Sequence, residues 1–183
     1  MKPNWFVAFS VSPDVWYKDI YKNIEEPMRK FHPEDLHSTL VFLGYLENGE
    51  VESVKRVMDD FDEKSVSITL GKLLFLPALK KYSAVSYSIE QGNKTLQEYM
   101  KKYRDRFSVA AQRDLDSRSP LPHITIARPP KKMTGHEKQT AAMQLQKLPI
   151  PQGEIKIDTL DLYTWADHRQ SRQFKIIWSK KLR

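Results

Sequence analysis

Cysteine is absent from this 183-residue chain. That excludes disulfides, zinc sites built on thiolates and a thiol nucleophile, and it leaves the redox compartment open. Glycine is scarce, six residues in all. None falls in a Gly-x-x-x-x-Gly-Lys phosphate loop or a Gly-x-Ser-x-Gly elbow, and there is no His-Glu-x-x-His, so P-loop, acyl-serine and zinc-peptidase chemistry have no motif to stand on. No run approaches the roughly 18 to 20 apolar residues of a membrane span. The chain goes from Met1 straight into a strand-like stretch instead of a signal peptide, and a soluble, cytoplasmic protein is expected. Gly/Ser linkers are also missing, so residues 1–183 are expected to form a single domain with approximate repeats 1–80 and 81–183.

What is present is enough for a core: 40% of residues are hydrophobic and 11% aromatic, in a chain of ordinary domain length. The formal charge of +7 is unevenly placed. Residues 1–80 hold 10 Lys+Arg against 13 Asp+Glu, a net −3, and residues 81–183 hold 20 against 10, a net +10. Such asymmetry points to a polyanion met through the second half, nucleic acid first and an anionic membrane surface second, against the plainer reading of a solvated basic surface.

Trp5 to Val11 reads as a buried strand, and Ser12-Pro13 as a helix entry. The helix carries Trp16, Ile20 and Ile24 at spacing four, and Pro27 should kink or end it. After a turn at His32-Pro33-Glu34-Asp35, Leu36 to Leu43 forms a strand stopped by Gly44. A helix opens at Asn48-Gly49, Ser65 to Leu76 alternates as one strand, and residues 77–81 connect it to a strand over Tyr82 to Ile89. Asn93 is expected to cap a helix bearing Leu96, Tyr99, Met100, Tyr103 and Phe107. A polar loop over 108–119 follows, then a strand over His123 to Ala127. Thr134-Gly135-His136-Glu137 has capping-box form and starts another helix, and Glu154 to Thr164 and Gln173 to Lys181 read as terminal strands. The order strand, helix, strand, helix, strand therefore occurs twice, with one strand added. An α+β fold with a duplicated half is expected.

Two short strings occupy the middle strand of each repeat: His37-Ser38-Thr39-Leu40 and His123-Ile124-Thr125-Ile126, 86 positions apart. Residues i and i+2 of a strand share a face, so each string presents an imidazole beside a hydroxyl. One such string is as well explained by an ordinary core or surface histidine. Two in equivalent places describe a composite site across a cleft.

Imidazole is suited to exchanging protons near neutral pH. A pair set across a phosphodiester supplies a base for the incoming water and an acid for the leaving alkoxide. Thr39 and Thr125 can donate to non-bridging oxygens, and Arg128, just past the second string, adds a forked cationic donor. His32, His136 and His168 lack this pairing.

With those residues in view, the chain resembles the two-histidine (2H) phosphoesterase superfamily, and within it the LigT-like 2′,3′-cyclic nucleotide phosphodiesterases, once called 2′-5′ RNA ligases. The resemblance runs through Trp5-Phe6-Val7-Ala8-Phe9, Asp35 to Gly44 with the first motif, Pro122 to Arg128 with the second, and Leu160-Asp161-Leu162-Tyr163. It implies a bilobal α+β fold, a pseudo-two-fold duplication of β-α-β-α-β units with antiparallel sheets flanking a central active-site cleft. It implies His37 and His123 as the acid/base pair, here taken with His123 as base and His37 as acid. Thr39, Thr125 and Arg128 hold the phosphate, and no metal or cofactor takes part. Ser38 departs from the pattern, being polar where many members are apolar.

The implied reaction opens an RNA terminal 2′,3′-cyclic phosphate, or a related cyclic nucleotide, to the 2′-phosphate. The alternatives are chemistry on 2′-5′ linkages, as ligase or phosphodiesterase, and an RNA-end-binding module without turnover. The expected partners are RNA ends or a small cyclic nucleotide, with no membrane, no obligate protein partner and a monomeric state. Phe75, Tyr82 and Trp165, near element ends, are candidates for base stacking. The basic residues Lys131-Lys132, Arg113, Arg118 and the Arg169 to Arg183 tail are candidate backbone guides.

Overall fold

In the computed structural model, which describes residues 2–169 and 171–183, ten strands form two four-stranded antiparallel sheets and one short two-stranded sheet. The first sheet has the order β10 (Phe174–Lys181), β9 (Thr159–Trp165), β1 (Trp5–Ser10), β3 (His37–Gly44). The second has the order β2 (Arg29–Lys30), β7 (His123–Arg128), β6 (Ala84–Ile89), β5 (Leu70–Leu76). The strands β4 (Val66–Ile68) and β8 (Ile155–Ile157) pair only with each other.

Reading each half as a five-element unit, the fifth strand of each joins the sheet of the other: β5 lies on β6, and β9 lies on β1. The halves are thereby interlocked. The helices cross over too. Tyr17 of α1 (Asp14–Asn23) donates its hydroxyl to the carbonyls of Phe31 and Ile126, at 2.7 and 3.3 Å, which ties α1 to the second sheet. Behind the first sheet lie α2 (Asn48–Asp59) and α3 (Asn93–Ala110), where Phe9, Phe61 and Tyr99 meet with ring centroids 5.9 to 6.3 Å apart. The remaining helix, α4 (Gly135–Leu145), accepts the Tyr82 hydroxyl at Lys138 O, 2.9 Å away.

Several expectations change in detail. The strand expected over 65–76 divides at Thr69 into β4 and β5, and the one over 154–164 divides at Asp158 into β8 and β9, because each must serve two different sheets. Arg29–Lys30 forms a strand that two charged residues did not announce, held by pairing to β7. Asn93 is the first residue of α3 and not its cap, since Gly92 takes that place at φ 77° and the Asn93 amide donates to Ile89 O. The capping box at Thr134 and Glu137 forms as expected.

The uneven charge also finds an internal use. Second-half cations pair with first-half acids: Lys102 with Glu63, Arg106 with Asp60, Arg113 with Glu50, Arg172 with Glu34, Arg183 with Asp62. Part of the asymmetry therefore neutralises across the seam between halves. Among the described residues, no helix is long and apolar enough to cross a membrane.

Candidate active site

The two motif strands lie in different sheets, yet Cα atoms of β3 and β7 come within 8 Å of each other. His37 and Thr39 share one face of β3, and His123 and Thr125 one face of β7. Each strand then carries the same irregularity. Between Thr39 and Val41 the pairing with β1 slips by one residue, and between Thr125 and Ala127 the pairing with β6 does so. A bulge of this kind re-aims the side chains beyond it. Phe42 and Arg128, each five residues after its histidine, are turned onto the histidine's own face.

Both imidazoles are fixed the same way. His37 Nδ1 lies 2.6 Å from Asp35 O, and His123 Nδ1 lies 2.6 Å from Leu121 O. A carbonyl can only accept, so each Nδ1 carries a proton and donates it, and each Nε2 is the nitrogen left to gain or lose one. On the first side the carbonyl is itself anchored. The buried Asp35 carboxylate accepts from the backbone N–H of Gln173 at 2.7 Å and of Phe174 at 3.2 Å, which pins the approach to β3 against β10.

Their surroundings differ. His37 is 7% exposed and sits among the rings of Phe6, Tyr163, Phe174 and Phe31, with centroids 4.8, 5.5, 5.6 and 6.2 Å away. Burial lowers its pKa to about 4 against the opposing pull of the Asp35 carbonyl, and the charges of Arg128 and His123 add to the lowering. His123 is shifted the same way by burial first and Arg128 after, but it is more open to solvent than His37. An imidazole with a pKa near 4 holds no proton at neutral pH. Burial therefore keeps His37 in the neutral form, the form that can take up a proton.

Thr125 is buried, with its Oγ1 3.1 Å from Ser86 Oγ on the neighbouring strand. Thr39, half-buried, faces Ala8 in the corresponding place. The Arg128 guanidinium lies 5.5 Å over the Phe31 ring, next to the aromatic nest around His37.

The expected stacking residues separate. Tyr82 is fully buried with its hydroxyl bound to Lys138 O, which leaves no ring face for a base. Phe75 is half-buried and edge-on to Tyr82 at 5.1 Å. Trp165 stands opposite Phe174 in the β9–β10 register, hence on the His37 face, and carries the Arg169 guanidinium 4.2 Å above its ring. Phe42, 52% exposed, is a flat surface on that face which sequence reasoning passed over. The signal available was its place: it matches Arg128 in the two motifs.

Two candidate backbone guides are committed elsewhere. Arg113 binds Glu50, the carbonyl of Leu43 and that of Tyr45, and so locks the end of β3. Arg118 makes a paired contact with Asp116, at 2.8 and 2.7 Å.

A cavity of about 680 Å3 lies between α4 and residues 23–28, with Met28, Met133 and Leu145 in its wall. Neither motif histidine lines it, so this cavity and the two motif strings are in different places. Among the described residues, no three His, Asp or Glu side chains gather as metal ligands would.

No protein-family model and no curated protein matches the chain by sequence. Solved structures do match. A crystal structure of a phosphoesterase aligns over 100% of this chain and 99% of its own, at 16% identity and a TM-score of 0.75. E. coli LigT crystallised with NADP+ aligns over 100% and 99%, at 17% identity and a TM-score of 0.73. Kluyveromyces marxianus Usb1 aligns over 87% and 92%, at 13% identity and a TM-score of 0.56. Over its whole length this chain has the fold of E. coli LigT and of that phosphoesterase.

Proposed function

We propose that the chain is a phosphodiesterase that opens a 2′,3′-cyclic phosphate, at an RNA end or on a small nucleotide, to the 2′-phosphate by two-histidine acid/base catalysis without a metal. The observation that carries this reading is the matched pair of Nδ1 contacts, 2.6 Å each, which orients both rings alike and leaves each Nε2 to exchange a proton, on strands whose Cα atoms come within 8 Å. E. coli LigT has been crystallised with 3′-AMP and with phosphate, the kinds of ligand such a site would hold.

From the asymmetry of the pair we infer His37 as base and His123 as acid, the opposite of the division expected from the motif resemblance. His37 Nε2, neutral by burial, takes a proton from water as its oxygen attacks phosphorus. The bond from phosphorus to O3′ breaks, and protonated His123 gives its Nε2 proton to that oxygen. Thr39, Thr125 and Arg128 donate to the non-bridging oxygens, where negative charge is greatest in the five-coordinate arrangement. Exchange with solvent moves a proton from His37 back to His123 for the next turn. Phe42 offers a stacking face for the base.

The test is hydrolysis of nucleoside 2′,3′-cyclic phosphates in EDTA, with the product identified by phosphorus NMR. The expected result is a 2′-phosphate, and loss of turnover in folded His37→Ala and His123→Ala. Dependence on added metal, a 3′-phosphate product, or full activity in either variant would overturn the reading. Turnover confined to 2′-5′ dinucleotides would assign the same histidines to the other bond.

A further inference from the structure

Arg29, Arg128 and Arg169 belong to three separate segments of the chain. Arg29 and Arg128 stand directly opposite each other in the β2–β7 register, so their side chains leave the same face of the sheet, the face that carries His123 and Thr125. Arg169, from the β9–β10 connection, has its guanidinium 4.2 Å over the Trp165 ring on the His37 face, and its charge acts on both Arg29 and Arg128. Among the described residues none of the three has a carboxylate within ion-pairing distance. By contrast Arg172, Lys175, Lys181 and Arg183 from the same stretch of chain all do. The Arg128 Nε is buried and has no hydrogen-bond partner there.

Three like charges on three segments repel one another. Arg29 feels Arg169, and Arg128 feels both, each beyond the effect of its own burial. Such an arrangement is unfavourable unless an anion is bound. One guanidinium accounts for the reacting phosphate: Arg128, whose charge reaches both His37 and His123. Arg29 and Arg169 add two further cations, an excess that a single cyclic phosphate monoanion would not neutralise.

We propose that Arg29 and Arg169, with Arg128 shared between them and the histidines, form a subsite for a second phosphate group of the substrate, one nucleoside away from the reacting one. This rests on the function proposed above and refines its substrate class. A 2′,3′-cyclic nucleoside has one phosphate. The 5′ phosphate of the terminal nucleotide, free or as the linkage to the preceding one in RNA, supplies the second. The subsite therefore favours an RNA chain end or a 5′-phosphorylated nucleotide over a bare cyclic nucleoside.

The experiment is equilibrium binding of stable, product-like probes to the full chain, which needs no turnover. The probes are a nucleoside 2′-phosphate, the matching nucleoside 2′,5′-bisphosphate, and a dinucleotide ending in a 2′-phosphate. The bisphosphate and the dinucleotide should bind roughly tenfold or more tighter than the monophosphate, the worth of one charge-assisted phosphate contact. Arg29→Gln and Arg169→Gln should each shrink that ratio. For the dinucleotide, each should reduce the dependence of log Kd on log salt by about 0.7, as expected for a lost single-strand phosphate contact. A gain for both probes marks the phosphate itself as the ligand. A gain for the bisphosphate alone restricts it to small nucleotides, and both results support the subsite. Equal affinity for all three probes, or variants that weaken all three alike, would overturn it. Failure of the proposed function is distinguishable, because it would appear as absent turnover with the binding ratio intact.

Discussion

Ser86 Oγ lies 3.1 Å from Thr125 Oγ1, whereas the residue facing Thr39 in the corresponding place is Ala8. Two hydroxyls made equivalent by the motif are thus held differently. Thr125 has a hydroxyl neighbour to set its rotamer, and Thr39 has none in that place.

Ser86→Ala should therefore lower kcat/KM by about tenfold, near 1.4 kcal/mol, the scale of one net hydrogen bond lost from an oriented donor. Thr125→Val should cost more, because it removes the donor itself. Steady-state kinetics on a cyclic phosphate, with circular dichroism to verify folding, checks the order. Equal effects of the two variants would mean that Ser86 does more than orient Thr125.

The proposed division of labour sets the pH profile. Activity requires His37 neutral and His123 protonated. With His37 near 4 and His123 below its usual 6.5, kcat/KM should be bell-shaped and peak on the acid side of neutrality. The rising limb reports His37 and the falling limb His123. Residual activity in His123→Ala should lose the falling limb and keep the rising one. The opposite result would exchange the two roles.

Burial of His37 also makes stability depend on pH. Its folded pKa, about 4, lies below the value near 6.5 expected when unfolded. Between these values the unfolded chain binds the extra proton, so the contribution present above pH 6.5 is lost as pH falls towards 4. At most about 3 kcal/mol is involved, since each tenfold change in proton affinity between the folded and unfolded chain is worth about 1.36 kcal/mol. Urea unfolding at pH 7 and pH 4 should show a smaller loss in His37→Asn than in the parent. An equal loss in both would mean that other groups govern the acid limb.

The two histidine strings and the five-element repeat were legible because hydrophobic periodicity and turn residues are local. The exchange of β5 and β9 between sheets was not, since which strand pairs with which depends on contacts far apart in sequence. The bulges after Thr39 and Thr125 were hidden for the same reason. Strict alternation would send Phe42 and Arg128 to the face opposite their histidines, and only the observed register brings them back. Net charge misled in part. It counted Arg113 and Arg118 as available, although both are held by acids, and it could not single out Arg29, which owes its place to pairing with β7.

Phe42 gives a direct test of that register. If its ring receives the base, Phe42→Ala should raise KM by roughly tenfold with kcat little changed, because stacking contributes about 1 to 3 kcal/mol per base by alanine substitution. Phe42→Trp should retain low KM. A fall in kcat without a change in KM would place the ring in support of His37, through Phe6, whose centroid is 5.8 Å from that of Phe42 and 4.8 Å from that of His37.

Ser38, the polar departure within the first motif, faces away from the side that carries His37 and Thr39. It is fully buried, opposite Phe9 in the β1–β3 register, and its Oγ has no hydrogen-bond partner among the described residues. A buried hydroxyl without a partner forfeits its hydration and gains nothing in return. Ser38→Ala removes the group and leaves little space behind, so the unfolding free energy should rise by about 1 kcal/mol. His37 and Thr39 point to the other face, so turnover should be unaltered. Chemical denaturation of the two proteins, read beside their kcat values, tests both parts. Destabilisation by Ser38→Ala would show that the hydroxyl has a partner in solution.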